Sequence, residues 1–179
     1  THHNALDLEL CVALTEALRA SGAARALVLT GTGRIFSAGV DLRRLLQERE
    51  TYVRPFLAAL DQALEALVSF PRPLVAALNG HAIAGGCVIA CSADYRVLAR
   101  GGARLGVPEL RVGVPFPDLA LEIVRSAVSA AGFRELILRG LTYEAERAQA
   151  IGLVDELVEP GQELPSAIRV ANDLAEVPR

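Results

Sequence analysis

The amino-acid sequence predicts an α/β fold, and two observations lead to that prediction. Short apolar segments typical of buried strands alternate along the chain with segments whose apolar residues recur at the helical period. A unit of strand, glycine loop and helix also occurs twice, around Gly39 and again around Gly85. No low-complexity linker interrupts these units, so we expect a single domain over residues 1–179.

Periodicity and helix-ending residues define the elements of the first half. Leu10, Leu14 and Leu18 recur at the helical period ahead of Gly22, which indicates a helix. Pro71 ends a second helix, because proline lacks the backbone N–H that a helix needs. We expect helices over residues 7–21, 53–69 and 87–92, strands over 25–30, 74–78, 95–99 and 104–105, and glycine turns over 31–33 and 100–102.

The second half is predicted to be mostly helical. The apolar residues there recur at helical spacing, with one short strand pattern between the last two helices. In the first half we also expect a glycine loop over residues 36–42, and small residues from Gly80 to Gly86 that lead into a second glycine loop over 84–87. The remaining elements are helices over 119–129, 133–139, 143–151 and 161–174, and a strand over 153–158.

Composition limits the possible functions. The chain is 52% apolar but only 4% aromatic, so Ala, Val and Leu must form the core. Its net charge is −3, it has no lysine, and no basic run exceeds Arg43-Arg44, which argues against nucleic-acid binding. The apolar stretches are too short to span a bilayer. Cys11, Cys87 and Cys91 lack metal-ligand spacing and are expected to be buried thiols, in keeping with a reducing cytoplasm and with no metal site.

Two glycine loops and one carboxylate form the main functional signal. The first loop contains Gly39 and the second contains Gly85-Gly86, and each follows a predicted strand. Gly85-Gly86 also opens a predicted helix, whose exposed N–H groups favour negative charge. Glu109 lies on a third loop. Two glycine turns can direct backbone N–H groups toward one developing oxyanion, and a nearby glutamate can transfer a proton, so this set suits enolate chemistry.

Structural roles compete with functional ones at each polar candidate. Glu109 alone could be a surface carboxylate paired with Arg111, and Asp118 could cap a helix. Asp94 could brace the start of a strand, and His81 could be a structural histidine rather than a general base. The chain contains no G-x-G-x-x-G, Walker or G-x-S-x-G sequence, which argues against a dinucleotide-binding protein, an ATPase or a serine hydrolase.

Seven stretches, taken in order along the chain, carry a resemblance to a known family. They are residues 4–6 (NAL), 25–31 (RALVLTG), 36–42 (FSAGVDL), 79–87 (NGHAIAGGC), 94–96 (DYR), 108–113 (PELRVG) and 148–155 (AQAIGLVD). In this order they resemble the crotonase superfamily, the enoyl-CoA hydratase/isomerase proteins. The resemblance covers almost the whole chain, and several motifs in the family's order are far more specific than any one of them.

The resemblance implies a crotonase-like ββα superhelix (the ClpP/crotonase fold), usually assembled as a homotrimer or a dimer of trimers. It implies an acyl-CoA thioester substrate whose carbonyl oxygen lies between the backbone N–H groups of Val40 and Gly85. It implies no cofactor, since coenzyme A is part of the substrate, and no nucleic acid or membrane as partner. The substrate-binding residues that it implies are Ser37, Ala38, Val40, Asp41, Leu42, Arg43, Gly85 and Gly86.

Position 88 departs from the pattern of typical hydratases in this family. Those proteins place one glutamate just after Gly-Gly-Cys and a second after the proline, whereas here the first position is Val88 and only Glu109 remains. Hydration uses two carboxylates, but moving a double bond from C3 to C2 needs one base that takes a proton from C2 and returns it to C4. The sequence therefore favours a 3-enoyl-CoA to 2-enoyl-CoA isomerase with catalytic Glu109, whose pKa an apolar pocket would raise.

Two other functions stay open. The protein could be an enoyl-CoA hydratase in which Asp118, or a residue outside this segment, is the second acid. It could also be a non-catalytic acyl-CoA-binding homologue that kept the fold and lost a glutamate. The family usually has a further strand before Asn4 and a helical segment beyond Arg179, so we expect this chain to lack both.

Overall fold

The computed structural model describes residues 2–177 as seven helices, eight strands and two short 3-10 turns. The helices are α1 (Leu8–Ala20), α2 (Leu42–Val68), α3 (Gly85–Cys91), α4 (Asp118–Ala127), α5 (Ala130–Arg139), α6 (Ala145–Ala150) and α7 (Glu163–Ala175). The strands are β1 (Leu27–Thr30), β2 (Ile35–Ser37), β3 (Leu74–Leu78), β4 (His81–Ile83), β5 (Tyr95–Ala99), β6 (Leu105–Gly106), β7 (Thr142–Tyr143) and β8 (Glu156–Val158). The 3-10 turns are His2–Asn4 and Glu109–Val112.

The strands form two four-stranded sheets, ordered β1-β3-β5-β8 and β2-β4-β6-β7. All neighbouring strands are parallel except β6 and β7. Successive strands alternate between the sheets, so that β1, β3 and β5 lie in the first and β2, β4 and β6 in the second. Helices α2 and α3 follow the first two strand pairs. The α/β prediction is confirmed, and the chain winds as the ββα superhelix that the resemblance implies.

Strand β3 lies at the centre of the packing, because all five of its residues are buried. Successive side chains of a strand point to opposite faces. Val75 and Ala77 accordingly pack with α7, while the three other residues of β3 join the larger core between sheets and helices. The core residues are mainly Ala, Val and Leu, as the composition predicts.

A buried ion pair joins β5 to the segment ahead of β8. The Arg96 side chain is 7% exposed, and its Nε and Nη2 donate to the two Asp155 carboxylate oxygens at 2.9 and 3.1 Å. The backbone N–H of Arg96 donates to the same carboxylate at 2.8 Å, and the Asp155 N–H donates to the Arg96 carbonyl at 3.0 Å. This set of bonds fixes the chain where it returns to the first sheet.

Several predicted elements are confirmed, and several boundaries are wrong. The predictions for α1, β1, α3, α4 and α7 are correct to within about two residues, and those for β3 and β5 match the structure at both ends. Helix α5 begins three residues before its predicted start, because Ser129 caps it by accepting a hydrogen bond from Gly132. The last strand begins at Glu156 rather than at 153, and Tyr143 belongs to β7 rather than to a helix.

The largest corrections concern the two predicted loops. Residues 36–42 contain the end of β2, and residues 80–86 contain all of β4. Each strand has three residues, which are too few to give a strand pattern. Helix α2 begins at Leu42, not at 53, because Asp41 caps it by accepting a hydrogen bond from Arg44. A kink at Arg49, with φ 51° and ψ −141°, divides this helix and obscures its periodicity.

Membrane insertion of a helix finds no support in the described part of the chain. None of the helices within residues 2–177 is both long and apolar enough to cross a bilayer.

Candidate functional site

The second sheet brings three candidate groups to one edge. Strands β2, β4 and β6 are parallel neighbours, with β4 between the other two, so their carboxyl ends lie at the same edge of the sheet. The turn after β2 carries Val40, the residue after β4 and Ala84 is Gly85, and the turn after β6 carries Glu109. The two predicted N–H donors and the predicted base therefore lie on turns at the same edge of the second sheet.

The turn that carries Val40 packs directly against the start of α3. Gly39 has φ +82°, and a Cβ at this position would lie 2.6 Å from the Ile83 carbonyl oxygen, so only glycine fits without strain. Leu6 N–H donates to the Gly39 carbonyl at 2.8 Å, and Asp41 N–H donates to the Leu6 carbonyl at 3.0 Å. Within residues 2–177 the Val40 N–H has no hydrogen-bond acceptor, which leaves it available to a ligand.

Gly85 supplies the second unpaired N–H. An ideal Cβ at Gly85 would lie 3.9 Å from the Val40 nitrogen and 2.9 Å from a Leu6 methyl group, so the two donors are neighbours. The Gly85 N–H also has no acceptor among the residues that the structure describes. Ala84, just before it, has φ 53° and ψ −129°, a conformation that L-residues rarely adopt. Backbone strain of this kind is concentrated at functional sites.

Glu109 begins the 3-10 turn after β6, and its carboxyl group is half-buried. Its Oε2 is inaccessible to solvent and has no hydrogen-bond partner within residues 2–177. Burial raises the pKa of Glu109 to about 7. No ion pair joins it to Arg111 in the described chain, so the surface-pair interpretation is wrong. A carboxylate that titrates near neutral pH can both take and return a proton.

Glu109 should make the stability of the fold depend on pH. The raised pKa means that the folded state binds more protons than the unfolded state between about pH 4.5 and 7, so the free energy of unfolding falls as the pH rises through that window. Replacing Glu109 by Gln removes this loss. We therefore expect the free energy of unfolding of the variant, relative to that of wild type, to rise by about 1–2 kcal/mol from pH 5 to pH 8. The figure is below the full value of the pKa shift because the carboxyl group is partly exposed.

Urea unfolding at the two pH values measures this difference. The exposed residue Glu16 on α1 provides the matched control for loss of a carboxylate, so the same two measurements are made on Glu16→Gln. A gap between Glu109→Gln and wild type that stays constant from pH 5 to pH 8 contradicts the prediction.

The other predicted substrate-binding residues surround the two donors in different ways. Ser37 is buried, and its hydroxyl is already hydrogen-bonded inside the protein. Ala38 is exposed, and the Asp41 carboxylate accepts from the Arg44 N–H at 3.1 Å. Leu42 and Arg43 are also exposed. Gly86 packs closely on Ser37.

Arg43 is available to bind an anion, whereas its neighbour is not. Within residues 2–177, Arg43 is exposed and forms no ion pair. Arg44 instead pairs with Glu9 and Glu48 and lies 4.3 Å from the centre of the Tyr52 ring. Of Arg43 and Arg44, Arg43 is therefore the residue whose guanidinium group could bind a phosphate group.

The remaining sequence candidates have structural roles or none. The Asp94 carboxylate accepts from the Leu74 N–H at 2.8 Å and so braces the start of β3, as predicted. His81 Nδ1 accepts from the Arg104 N–H at 3.0 Å, which confirms the structural interpretation. Asp118 is exposed and is the first residue of α4; Pro117 occupies the capping position, so the capping prediction is wrong.

The three cysteines are buried free thiols, as predicted. A hydrogen bond with Cys91, together with burial, raises the pKa of Cys87 well above its ordinary value. Among the described residues, no group of three or more His, Cys, Asp or Glu side chains could hold a metal ion.

Sequence reasoning missed the structural role of Asn4. Its side-chain amide donates to the carbonyl oxygens of Thr32, Ile35 and Phe36, at 3.0, 2.7 and 3.3 Å. Asn4 thereby ties the amino-terminal segment to the strand that leads into the Val40 turn. The NAL stretch of the family resemblance begins with Asn4, and this was the one sequence feature that pointed to it. Its hydrogen-bond partners are about thirty residues away in sequence, so the local sequence does not show them.

Comparison with known proteins gives one consistent match. A family model described as "Enoyl-CoA hydratase/isomerase" matches residues 1–179. A Thermus thermophilus relative, named as an enoyl-CoA hydratase, is 36% identical over 180 residues, which cover 96% of this chain and 70% of that protein. The chain spans between 51% and 67% of the length of other curated relatives that it matches.

Solved structures agree with this match. An enoyl-CoA hydratase, EchA3, from Mycobacterium ulcerans has a TM-score of 0.91 and 30% identity, covering 98% of this chain and 77% of that one. The apo structure of an enoyl-CoA isomerase from Mycobacterium tuberculosis has a TM-score of 0.88 and 31% identity, covering 98% and 76%. The similar structures therefore include proteins described as hydratases, and the Mycobacterium tuberculosis protein is described as an isomerase in this structure and as a probable hydratase in another.

Proposed function

This chain belongs to the enoyl-CoA hydratase/isomerase family, and from that premise we propose that it converts a 3-enoyl-CoA into a 2-enoyl-CoA thioester. Glu109 is the single proton carrier, and the N–H groups of Val40 and Gly85 hold the thioester oxygen. Coenzyme A enters and leaves as part of the substrate, so the reaction needs no separate cofactor.

The proposed reaction transfers one proton within the substrate. The Glu109 carboxylate removes a proton from C2, and the electron pair of the broken C–H bond moves into the thioester as an enolate conjugated with the C3–C4 double bond. The negative charge on the thioester oxygen is stabilised by the Val40 and Gly85 donors, which need not reorganise. The protonated Glu109 then returns the proton to C4, the double bond forms between C2 and C3, and the carboxylate is restored.

The proposal that the reaction uses a single base rests on the contrast between positions 109 and 88. Glu109 has a buried Oε2 with no hydrogen-bond partner in the described part of the chain. The position where typical hydratases of the family carry their other glutamate is Val88, which is 2% exposed. An apolar side chain at position 88 cannot hold or activate a water molecule. A carboxyl group with a pKa of about 7 is suited to both halves of the proton transfer.

Enoyl-CoA hydration is the second candidate, and the names of the similar proteins favour it. The Thermus thermophilus relative and the Mycobacterium ulcerans structure are both described as enoyl-CoA hydratases. A hydratase needs a second acid, either Asp118 or a residue from the part of the longer proteins that this chain does not match. Asp118 is exposed at the start of α4, where its carboxylate is accessible to water.

Product analysis with two thioesters tests the proposal. We expect purified protein to convert 3-hexenoyl-CoA to the 2-enoyl thioester and to leave crotonyl-CoA unhydrated. Rapid hydration of crotonyl-CoA contradicts the single-base mechanism and supports the hydratase. Saturable binding without reaction of either thioester indicates a non-catalytic acyl-CoA-binding protein.

We also propose that the protein assembles as a homotrimer or a dimer of trimers, as is usual in this family. The mass in solution, measured by light scattering, tests this assembly. A monomer at concentrations at which the protein is active contradicts it.

A further inference from the structure

The turn before α2 contains four successive backbone N–H groups, of residues 38 to 41, and three of them are hydrogen-bonded to residues that the structure describes. Three are hydrogen-bonded inside the protein: Ala38 N–H to the His3 carbonyl at 3.1 Å, Gly39 N–H to Ser37 Oγ at 3.2 Å, and Asp41 N–H to the Leu6 carbonyl at 3.0 Å. Within residues 2–177, the Val40 N–H alone has no acceptor. The turn is therefore built to present a single donor.

Ser37 is the side chain that completes this pattern. It is 4% exposed, and its hydroxyl donates to the Asn4 carbonyl at 2.8 Å while it accepts the Gly39 N–H. A Cβ at Gly86 would lie 2.8 Å from the same hydroxyl oxygen. One buried oxygen thus bonds to the amino-terminal segment and to the Val40 turn, and it lies so close to Gly86 in the first turn of α3 that no Cβ fits there.

We propose that Ser37 is a positioning residue for the Val40 oxyanion donor rather than a group that binds substrate. This inference rests on the function proposed above. Gly39 has φ +82°, and a glycine is free to leave that conformation when nothing holds it. The Ser37 hydroxyl fixes the peptide group on the amino side of Gly39, and Leu6 N–H fixes the peptide group that contains the Val40 nitrogen.

Loss of the hydroxyl should therefore misdirect the donor without removing it. In Ser37→Ala the Gly39 N–H becomes a second unpaired donor beside Val40, and on its amino-terminal side the turn is then held by its bonds to residues 3–6 alone among those that the structure describes. Hydrogen bonds weaken steeply as the donor angle departs from linearity. Complete loss of one oxyanion donor costs about 100- to 1,000-fold in kcat, so a misdirected donor should cost less, about 5- to 20-fold.

Infrared spectroscopy of a bound saturated thioester tests the inference without any turnover. The probe is hexanoyl-CoA labelled with ¹³C at the thioester carbon, which can be neither isomerised nor hydrated. We expect the wild type to lower the carbonyl stretching frequency on binding, and Ser37→Ala to lose about half of that shift while its dissociation constant changes less than about threefold. The control is Ser92→Ala, whose hydroxyl donates only to the Ile89 carbonyl at 2.7 Å, and it should keep the full shift.

The outcomes separate the inference from the proposed function. A wild type that binds hexanoyl-CoA without any carbonyl shift contradicts the oxyanion site itself. A full shift in Ser37→Ala overturns the positioning role alone, and so does a loss of binding, which would indicate direct contact between Ser37 and the substrate. In turnover of 3-hexenoyl-CoA, we expect the 5- to 20-fold loss to lie in kcat, with KM nearly unchanged.

Discussion

Replacing Glu109 by glutamine is expected to lower kcat for isomerisation of 3-hexenoyl-CoA by about 100- to 10,000-fold, the usual contribution of a positioned acid–base group. The amide has nearly the size and shape of the carboxyl group but cannot accept a proton from C2. Binding should survive, because the thioester oxygen is held by main-chain groups. We therefore expect the dissociation constant of hexanoyl-CoA to change less than about threefold. Stopped-flow absorbance for the reaction and calorimetry for binding measure the two effects.

Asp118→Asn provides the matched control for this prediction. Asp118 lies on the chain shortly after the Glu109 turn but is exposed, and a single-base isomerase should retain nearly all of its activity without it. Turnover by Glu109→Gln at a rate near that of wild type would rule out Glu109 as the base. A large loss in Asp118→Asn would instead identify a second acid and favour hydration.

Replacing Asp155 by alanine is expected to lower the free energy of unfolding by about 3 kcal/mol. The change leaves the Arg96 guanidinium, which is 7% exposed, without its counter-ion, and removal of one partner of a buried pair typically costs about 3–5 kcal/mol. The lower end of that range applies because the Asp155 side chain is 30% exposed. The backbone N–H of Arg96 also loses its acceptor. Urea unfolding at pH 7 measures the effect.

A surface ion pair gives the comparison. Arg100 directly follows β5, the strand that contains Arg96, and donates to Glu146 at 3.0 Å, but both side chains are largely exposed. Glu146→Ala should therefore cost less than about 0.5 kcal/mol. Equal losses in Asp155→Ala and Glu146→Ala would show that burial of Arg96 does not govern the strength of its pair.

The sequence predicts strands β1, β3 and β5 of the first sheet well and β6 of the second sheet to within one residue, but it misses β2, β4 and β7. Strand β3 is a continuous apolar run buried on both faces, and such a run is recognisable without any knowledge of its neighbours. Strands β2 and β4 have three residues each and contain Ser37 and His81, so nothing local separates them from loops. They form strands because parallel pairing with distant segments holds them, and that pairing is a property of the fold.

The candidate site shows the same division. Glycine at position 39 and the carboxylate at 109 are visible in the sequence, and the family pattern identifies Val40 and Gly85 as the residues that present N–H groups. The sequence does not show that Glu109 has a buried oxygen with no partner, or that Asn4 and Ser37 hold the turn. The bonds of Asn4 and Ser37 join segments about thirty residues apart, and no local pattern shows them.

The Val40 donor belongs to the main chain, and this has a consequence for how the position evolves. The peptide nitrogen is present whichever of nineteen amino acids occupies position 40, and only proline deletes it. In a comprehensive substitution library, position 40 would accordingly tolerate many residues, while Gly39, whose φ is +82°, would tolerate few. A map of intolerance to mutation would thus show the residues that support the proposed oxyanion donor and would show little at the donor residue itself.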